Sequence, residues 1–233
     1  PSPVQVRIED ESLCPGFALR LVRGVRNGPS PDWLQKRLTA IGLRPINALV
    51  DVTNFISYDR GRPLHVYDAD KLQGAIRARL GNKIEKFIGL DGKEHTVDQT
   101  MCVIADDSGP LGFGGIMGGE VSGCDEATTD VLVESALWDP LNIARTGRAL
   151  GINSDARFRF ERGVDPDFTL QGLDLATHMI LELCGGEPTQ HVLAGDIPDT
   201  GRLIDFPWTE VKRLTGLSLP LPEMKVILAS LGF

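Results

Sequence analysis

Four cysteines in 233 residues, Cys14, Cys102, Cys124 and Cys184, stand far apart and form no Cys-x-x-Cys pair. That spacing argues against a zinc site and fits a reducing compartment, the cytoplasm. The four histidines are equally scattered and no His-Glu-x-x-His helix exists, so no metal is expected. No apolar run approaches the ~20 residues of a bilayer span, so no membrane is expected either. The N-terminus has no signal-peptide pattern. Gly-x-Ser-x-Gly and the phosphate-binding Gly-x4-Gly-Lys-Ser/Thr are both missing, and Gly112–Gly119 misses Gly-x-Gly-x-x-Gly because Met117 stands at the last glycine. Covalent hydrolase, kinase and redox readings therefore have no support, and no cofactor is expected in this chain. Positive charge is also short. Lys and Arg total 24 against 32 Asp and Glu, a net charge of −8, which argues against a general nucleic-acid binder.

Apolar residues make up 42% of the chain, enough at this length to bury a core. The chain starts at Pro1 without Met and stops at Phe233 just past a helix-like stretch, and the expectation is an excised piece. Charge is uneven along it. From Leu141 to Gly163, Arg145, Arg148, Arg157, Arg159 and Arg162 face only Asp155 and Glu161. Lys36, Arg37, Arg44, Arg60 and Arg62 form a second cluster. Such strips suit one short nucleic-acid end, or equally a set of ion-paired arginines.

Val4–Ile8 and Ala18–Val22 alternate like strands. Ser30-Pro31 predicts an N-cap and first helical residue, with Leu34, Leu38 and Ile41 inward and Gly42 closing the helix. A second helix is expected from Asn47 to near Gly61. Ile76, Ala78 and Leu80 alternate with Arg77 and Arg79. Lys86–Leu90 and Lys93–Val97 flank Asp91-Gly92, a type I′ hairpin signal. Met101–Ala105 and Val131–Ser135 read as buried strands. Asp139-Pro140 and Asp165-Pro166 open helices, the second with Leu170, Leu173, Ile180 and Leu183 inward and Gly185-Gly186 at its end. Strands and helices do not alternate regularly, so an α+β fold with a mixed or antiparallel β core and flanking helices is expected rather than a doubly wound parallel sheet. Ile197–Gly201 reads as a linker, followed by a strand-like run and a helix from Leu221 to Leu231, too little for a second core. The expected division is residues 1–195 and 196–233.

The densest signal lies between Gly112 and Pro166: a glycine run, then VLVESALWDP, then ALGINSDARFRFERGVDP. Five glycines in Gly112–Gly119 leave backbone amides uncovered for a ligand, or else make a tight β-corner. Glu134 shares strand parity with Leu132, and a buried carboxylate needs a partner or a ligand. His65 follows the Gly61-Arg-Pro-Leu turn, as a pocket residue or a structural histidine.

The segments RPINALVDVTNFISYDRGRPLHVYD (44–68), FGGIMGGEVSG (113–123), VLVESALWDP (131–140), NSDARFRFERGVDP (153–166) and CGGEP (184–188) resemble, in order and in spacing, the beta subunit of bacterial phenylalanyl-tRNA synthetase. The matching region is the B3/B4 editing domain, and residues after about Gly201 look like a truncated start of the B5 module. The resemblance implies hydrolysis of tyrosine wrongly attached to phenylalanine tRNA. It implies Arg44 and His65 as catalytic, Gly118, Glu134, Ser154 and Ala156 as substrate-binding, with Glu134 sensing the tyrosine hydroxyl. Ser154 stands where the family has threonine, keeping the hydroxyl and losing a methyl. As partners it implies the tRNA(Phe) 3′ end and the alpha subunit of an (αβ)2 ligase, which as a whole uses ATP and Mg2+. The synthetic site is implied to lie on the other subunit.

A pocket made for phenylalanine rejects an added hydroxyl only ~10²-fold, so a second site is needed that requires the hydroxyl. Hydrolysis of an activated ester needs a positioned water and oxyanion donors but no side-chain nucleophile. The alternative reading is a non-catalytic tRNA-positioning or scaffold module of the same synthetase. His65, Gly118, Glu134 and Ala156 together favour the editing hydrolase, because a scaffold has no need of that set.

Overall fold

A computed structural model describes residues 1–83 and 85–233. The chain divides into two units, Pro1–Asp199 and Thr200–Phe233. In chain order the first unit contains β1 (Val6–Ile8), β2 (Gly16–Arg23), α1 (Asp32–Ala40), α2 (Ala48–Arg60), β3 (His65–Asp68), β4 (Ile76–Leu80), β5 (Glu85–Ile88), β6 (Glu94–Val97), β7 (Cys102–Asp106), β8 (Gly109–Phe113), β9 (Met117–Gly118), β10 (Asp130–Ala136), α3 (Pro140–Leu150), α4 (Asp155–Phe160), α5 (Phe168–Cys184), β11 (Glu187–Pro188) and β12 (Val192–Gly195). The second unit contains α6 (Thr209–Thr215) and α7 (Leu221–Ser230). In place of the short strand expected after Gly201, the described chain is irregular to Pro207 and then forms α6. The fold is α+β with mixed and antiparallel sheets.

One sheet runs β1-β4-β7-β8-β9, with β1 parallel to β4 and the remaining pairs antiparallel. A second runs β11-β2-β10-β3, with β12 also on β2, all antiparallel. Both faces of the β2–β10 pair are buried. Phe17, Leu19, Leu21 and Leu132 meet Ile76, Val103 and Phe113 of the first sheet. Ala18, Val22, Val131 and Val133 meet Leu34, Leu49, Val52, Ile56, Leu173 and Ile180 of α1, α2 and α5. Period-2 side chains thus feed two cores from one strand. Glu134 is on the first of these faces, with Leu132.

Local chemistry sets the helix ends. Asn47 accepts from the Val50 amide at 3.1 Å and Gly61 ends α2 at φ 67°. Asp139 accepts from the Asn142 amide at 2.8 Å ahead of Pro140. Ser30 does not cap α1 as the sequence predicts. Pro31 is the cap, and the Ser30 hydroxyl donates instead to the buried Asp51 carboxylate at 2.5 Å. Ile41 stays about half exposed because α1 ends one residue before it. In α5 the buried stripe is Thr169, Gly172, Leu173, Ala176, Thr177, Ile180 and Cys184, with Leu170 and Leu183 at its margins.

The β5–β6 turn is not the expected two-residue type. The Gly92 amide donates to Gly89 and the Gly89 amide to Lys93. The loop therefore has three residues, with Gly92 in the left-handed region at φ 73°. His95, from β6, packs on Phe87 and Phe113 and bonds Asp91 at 3.0 Å, which closes the turn.

Candidate functional site

A cavity of about 460 Å3 lies where β3, β9, β10 and the start of α4 converge. Ile104, Phe113, Ile116 and Phe160 give it apolar walls. His65, Gly118, Glu134, Ser154 and Ala156 all line it. Arg44 does not. It sits exposed in the loop between α1 and α2, with no side-chain hydrogen bond or ion pair among the described residues. The structure thus brings together five of the six residues singled out from the sequence.

Glu134 is 5% exposed, on a strand buried along nearly its whole length. Its register partner across β3 is His65. The Tyr67 hydroxyl donates to its Oε2. Burial pushes the Glu134 carboxyl up to about 7, and the Tyr67 bond only partly opposes this. His65 is half-buried overall, yet its Nε2 is sealed from solvent and has no hydrogen-bond partner among the described residues. Burial pushes the imidazole down to about 4, so it is neutral at neutral pH.

The glycine run is largely a β-corner. The Gly114 amide donates to Cys102, Ile116 to Phe113, and Gly119 to Leu111. These amides are therefore spent within the sheet and are not open to a ligand, because the run folds back as β8 and β9. What the glycines supply is room. A Cβ on Gly118 would stand 2.7 Å from His65 Nε2, and one on Gly114 would stand 2.6 Å from the Trp138 ring. Gly118→Ala is expected to push the imidazole aside and cost about 1–3 kcal/mol. Thermal unfolding and the His65 ring resonances report this. Unchanged ring shifts would show that the close approach is not needed.

Ser154 is the N-cap of α4. Its Oγ accepts from the Arg157 amide at 3.1 Å and donates to the Ile116 carbonyl at 2.6 Å, tying the helix start to the glycine corner. That bond fixes Ala156, one residue into the first turn, against the cavity.

The basic strips are mostly exposed, but Arg62 is buried and Arg157 and Arg159 are partly so. Arg62 is 1% exposed and donates to the Ala136 carbonyl at 3.0 Å, to Thr169 Oγ1 at 3.2 Å and to the Asp165 carbonyl. Arg157 pairs with Glu161 at 3.0 Å and holds the Ile152 carbonyl. Arg159 covers Tyr58 and Arg162 covers Phe158. Arg145 and Arg148 remain exposed, with no such bond among the described residues. Formal charge counted along the chain does not show that the Arg62 guanidinium turns inward.

Sequence reading missed Tyr67, Asn54, Asp91 and Phe160 at the cavity. Tyr67 alone had a signal: it is two residues past His65, on the same strand face. Among the described residues no group of His, Cys, Asp and Glu is arranged to hold a metal, and no helix is long and apolar enough to cross a membrane.

The fold that holds this cavity is that of a known domain class: the chain belongs to the B3/4 domain family, whose profile matches residues 13–185. Over its whole length it is 64% identical to the phenylalanine–tRNA ligase beta subunit of Bradyrhizobium diazoefficiens and 62% identical to that of Nitrobacter winogradskyi. It spans 29% of the length of each of these relatives. In fold it is similar to an N-terminal fragment of the phenylalanyl-tRNA synthetase beta subunit from Pyrococcus horikoshii, at TM-score 0.54 and 18% identity. That match covers 97% of this chain and 64% of the other.

Proposed function

We propose that this B3/4 domain is the editing module of a phenylalanine–tRNA ligase beta subunit and hydrolyses tyrosine from mischarged tRNA(Phe). The observation that carries the proposal is the buried carboxylate of Glu134, set in the cavity beside the apolar Ile104, Phe113, Ile116 and Phe160, while Asp91 and Asp155 at the same cavity are exposed. Such a site favours a ring bearing one hydroxyl. Phenylalanine would leave the acceptor without a partner, at a cost of about 1–3 kcal/mol or more for a charged group. Tyrosine instead gives the carboxylate a charge-assisted bond.

In the reaction, water oxygen attacks the ester carbonyl carbon, the bond to the ribose oxygen breaks, and the proton passes to that oxygen. Tyrosine and tRNA leave, and no side chain is acylated. His65, neutral through burial, orients the water through Nδ1, since its Nε2 is sealed. Ala156 leaves space for the ring, and Ser154 holds the helix that carries it. Arg44, exposed beyond the cavity, takes a backbone phosphate of the tRNA rather than the reacting atoms. The alpha subunit, ATP and Mg2+ belong to the synthetic reaction of the whole ligase, which this domain follows in the cytoplasm.

The carboxylate is ionised above about pH 7, so preference for tyrosine is expected to rise with pH through that value. In the complete ligase, Glu134→Ala is expected to lower the ratio of Tyr-tRNA(Phe) to Phe-tRNA(Phe) deacylation rates by about tenfold or more. An unchanged ratio removes Glu134 from hydroxyl sensing. A wild-type ligase that leaves Tyr-tRNA(Phe) intact overturns the function.

A further inference from the structure

Tyr67 follows His65 by two residues on β3, so the two side chains leave the same face of the strand. Glu134 on β10 is directly opposite His65 and diagonal to Tyr67. A long aromatic side chain spans that diagonal. Tyr67 does so: its hydroxyl donates to Glu134 Oε2, and its ring meets the His65 ring edge-on at 4.5 Å between centroids. Tyr67 is 1% exposed. Among the described residues, Glu134 Oε1 has no hydrogen bond, and Glu134 lines the cavity.

Building on the reading of this cavity as a tyrosine-selecting site, we propose that Tyr67 is a positioning residue for Glu134, its phenol fixing Oε2 so that Oε1 is presented to the para-hydroxyl of the substrate. A phenol of the protein thus occupies one oxygen of the carboxylate, and the phenol of the substrate takes the other. Both donate, and both favour the ionised acid.

The surrounding groups make this bond matter. His65 and Tyr67 face Glu134 from β3, and Cys14 faces it from the segment before β2. Asp91 and Asp155 share the cavity. His65 is neutral at neutral pH, so no cation offsets the cost of burying the charge. The Tyr67 hydroxyl is the interaction that opposes protonation of Glu134. Without it, the carboxyl takes up a proton, becomes a donor itself, and loses its selectivity for a hydroxyl donor.

Tyr67→Phe keeps the ring against His65 and removes only the hydroxyl. Carbon-13 NMR of glutamate-labelled chain, with Glu134 assigned by its loss in Glu134→Gln, follows the carboxyl from about pH 5 to about pH 9. The Glu134 midpoint is expected to rise by about one pH unit in Tyr67→Phe. In the ligase containing this chain, the pH at which Tyr-tRNA(Phe) deacylation reaches half its plateau is expected to rise by the same amount. A purely structural role for the ring would lower the rate equally at all pH values. An unmoved midpoint overturns the proposal. So does a moved midpoint with an unmoved deacylation profile in an enzyme that clears tyrosine. Failure of the function itself is seen separately, in wild-type ligase that clears no tyrosine at any pH.

Discussion

Ala156→Trp in the complete ligase is expected to reduce clearance of Tyr-tRNA(Phe) to the uncatalysed background while phenylalanine charging continues unchanged. Ala156 lies in the first turn of α4, lines the cavity and packs partly on the core formed between the two sheets. The α4 start cannot easily retreat, because Ser154 is bonded both to the Arg157 amide and to the Ile116 carbonyl. An indole there projects into the space proposed for the tyrosine ring. Overpacking costs about 1–3 kcal/mol, which a domain of this size tolerates. Parallel measurement of aminoacylation, deacylation and thermal unfolding separates a blocked pocket from a broken fold. A folded variant that still clears tyrosine would place the substrate elsewhere.

Glu134→Gln is expected to stabilise the fold above about pH 7. Burial raises the carboxyl from its ordinary 4.5 to about 7 in the folded chain. A group whose pKa rises on folding contributes stability that is full below its unfolded value and is lost as pH rises through the folded value. From about pH 4.5 upward the wild-type chain therefore loses stability at this site, and above about pH 7 the accumulated cost is roughly 3 kcal/mol. Glutamine carries no charge to bury and still accepts from Tyr67, so it escapes that loss. Thermal unfolding of both chains should give curves that converge near pH 4.5 and separate toward pH 8. Parallel curves across that range would show that the carboxylate is not strained by burial. The gain in stability should come with loss of tyrosine preference, as expected where an active site keeps a costly group.

The sequence by itself determined the elements whose causes are local. Asn47 and Gly61 bound α2, Asp139-Pro140 starts α3, and Gly185 ends α5, because each acts on backbone groups within a turn of itself. Strand parity also put Glu134 with Leu132. The motifs around residues 44–68, 113–123, 131–140 and 153–166 brought out the cavity residues His65, Gly118, Glu134, Ser154 and Ala156. Only the tertiary structure decided the rest, and in each case the reason is a partner distant in sequence. Gly118 is glycine because the His65 ring fills the space of its Cβ, 53 residues away by number but adjacent across the site. Ser30 gives up its cap for Asp51, and Arg62 leaves the basic surface for the Ala136 and Asp165 carbonyls. Arg44, in the same motif as His65, is left outside the cavity by the loop that precedes α2. Tyr67 meets Glu134 only because β3 pairs with β10 across a separation of 67 residues, a register that no local propensity encodes.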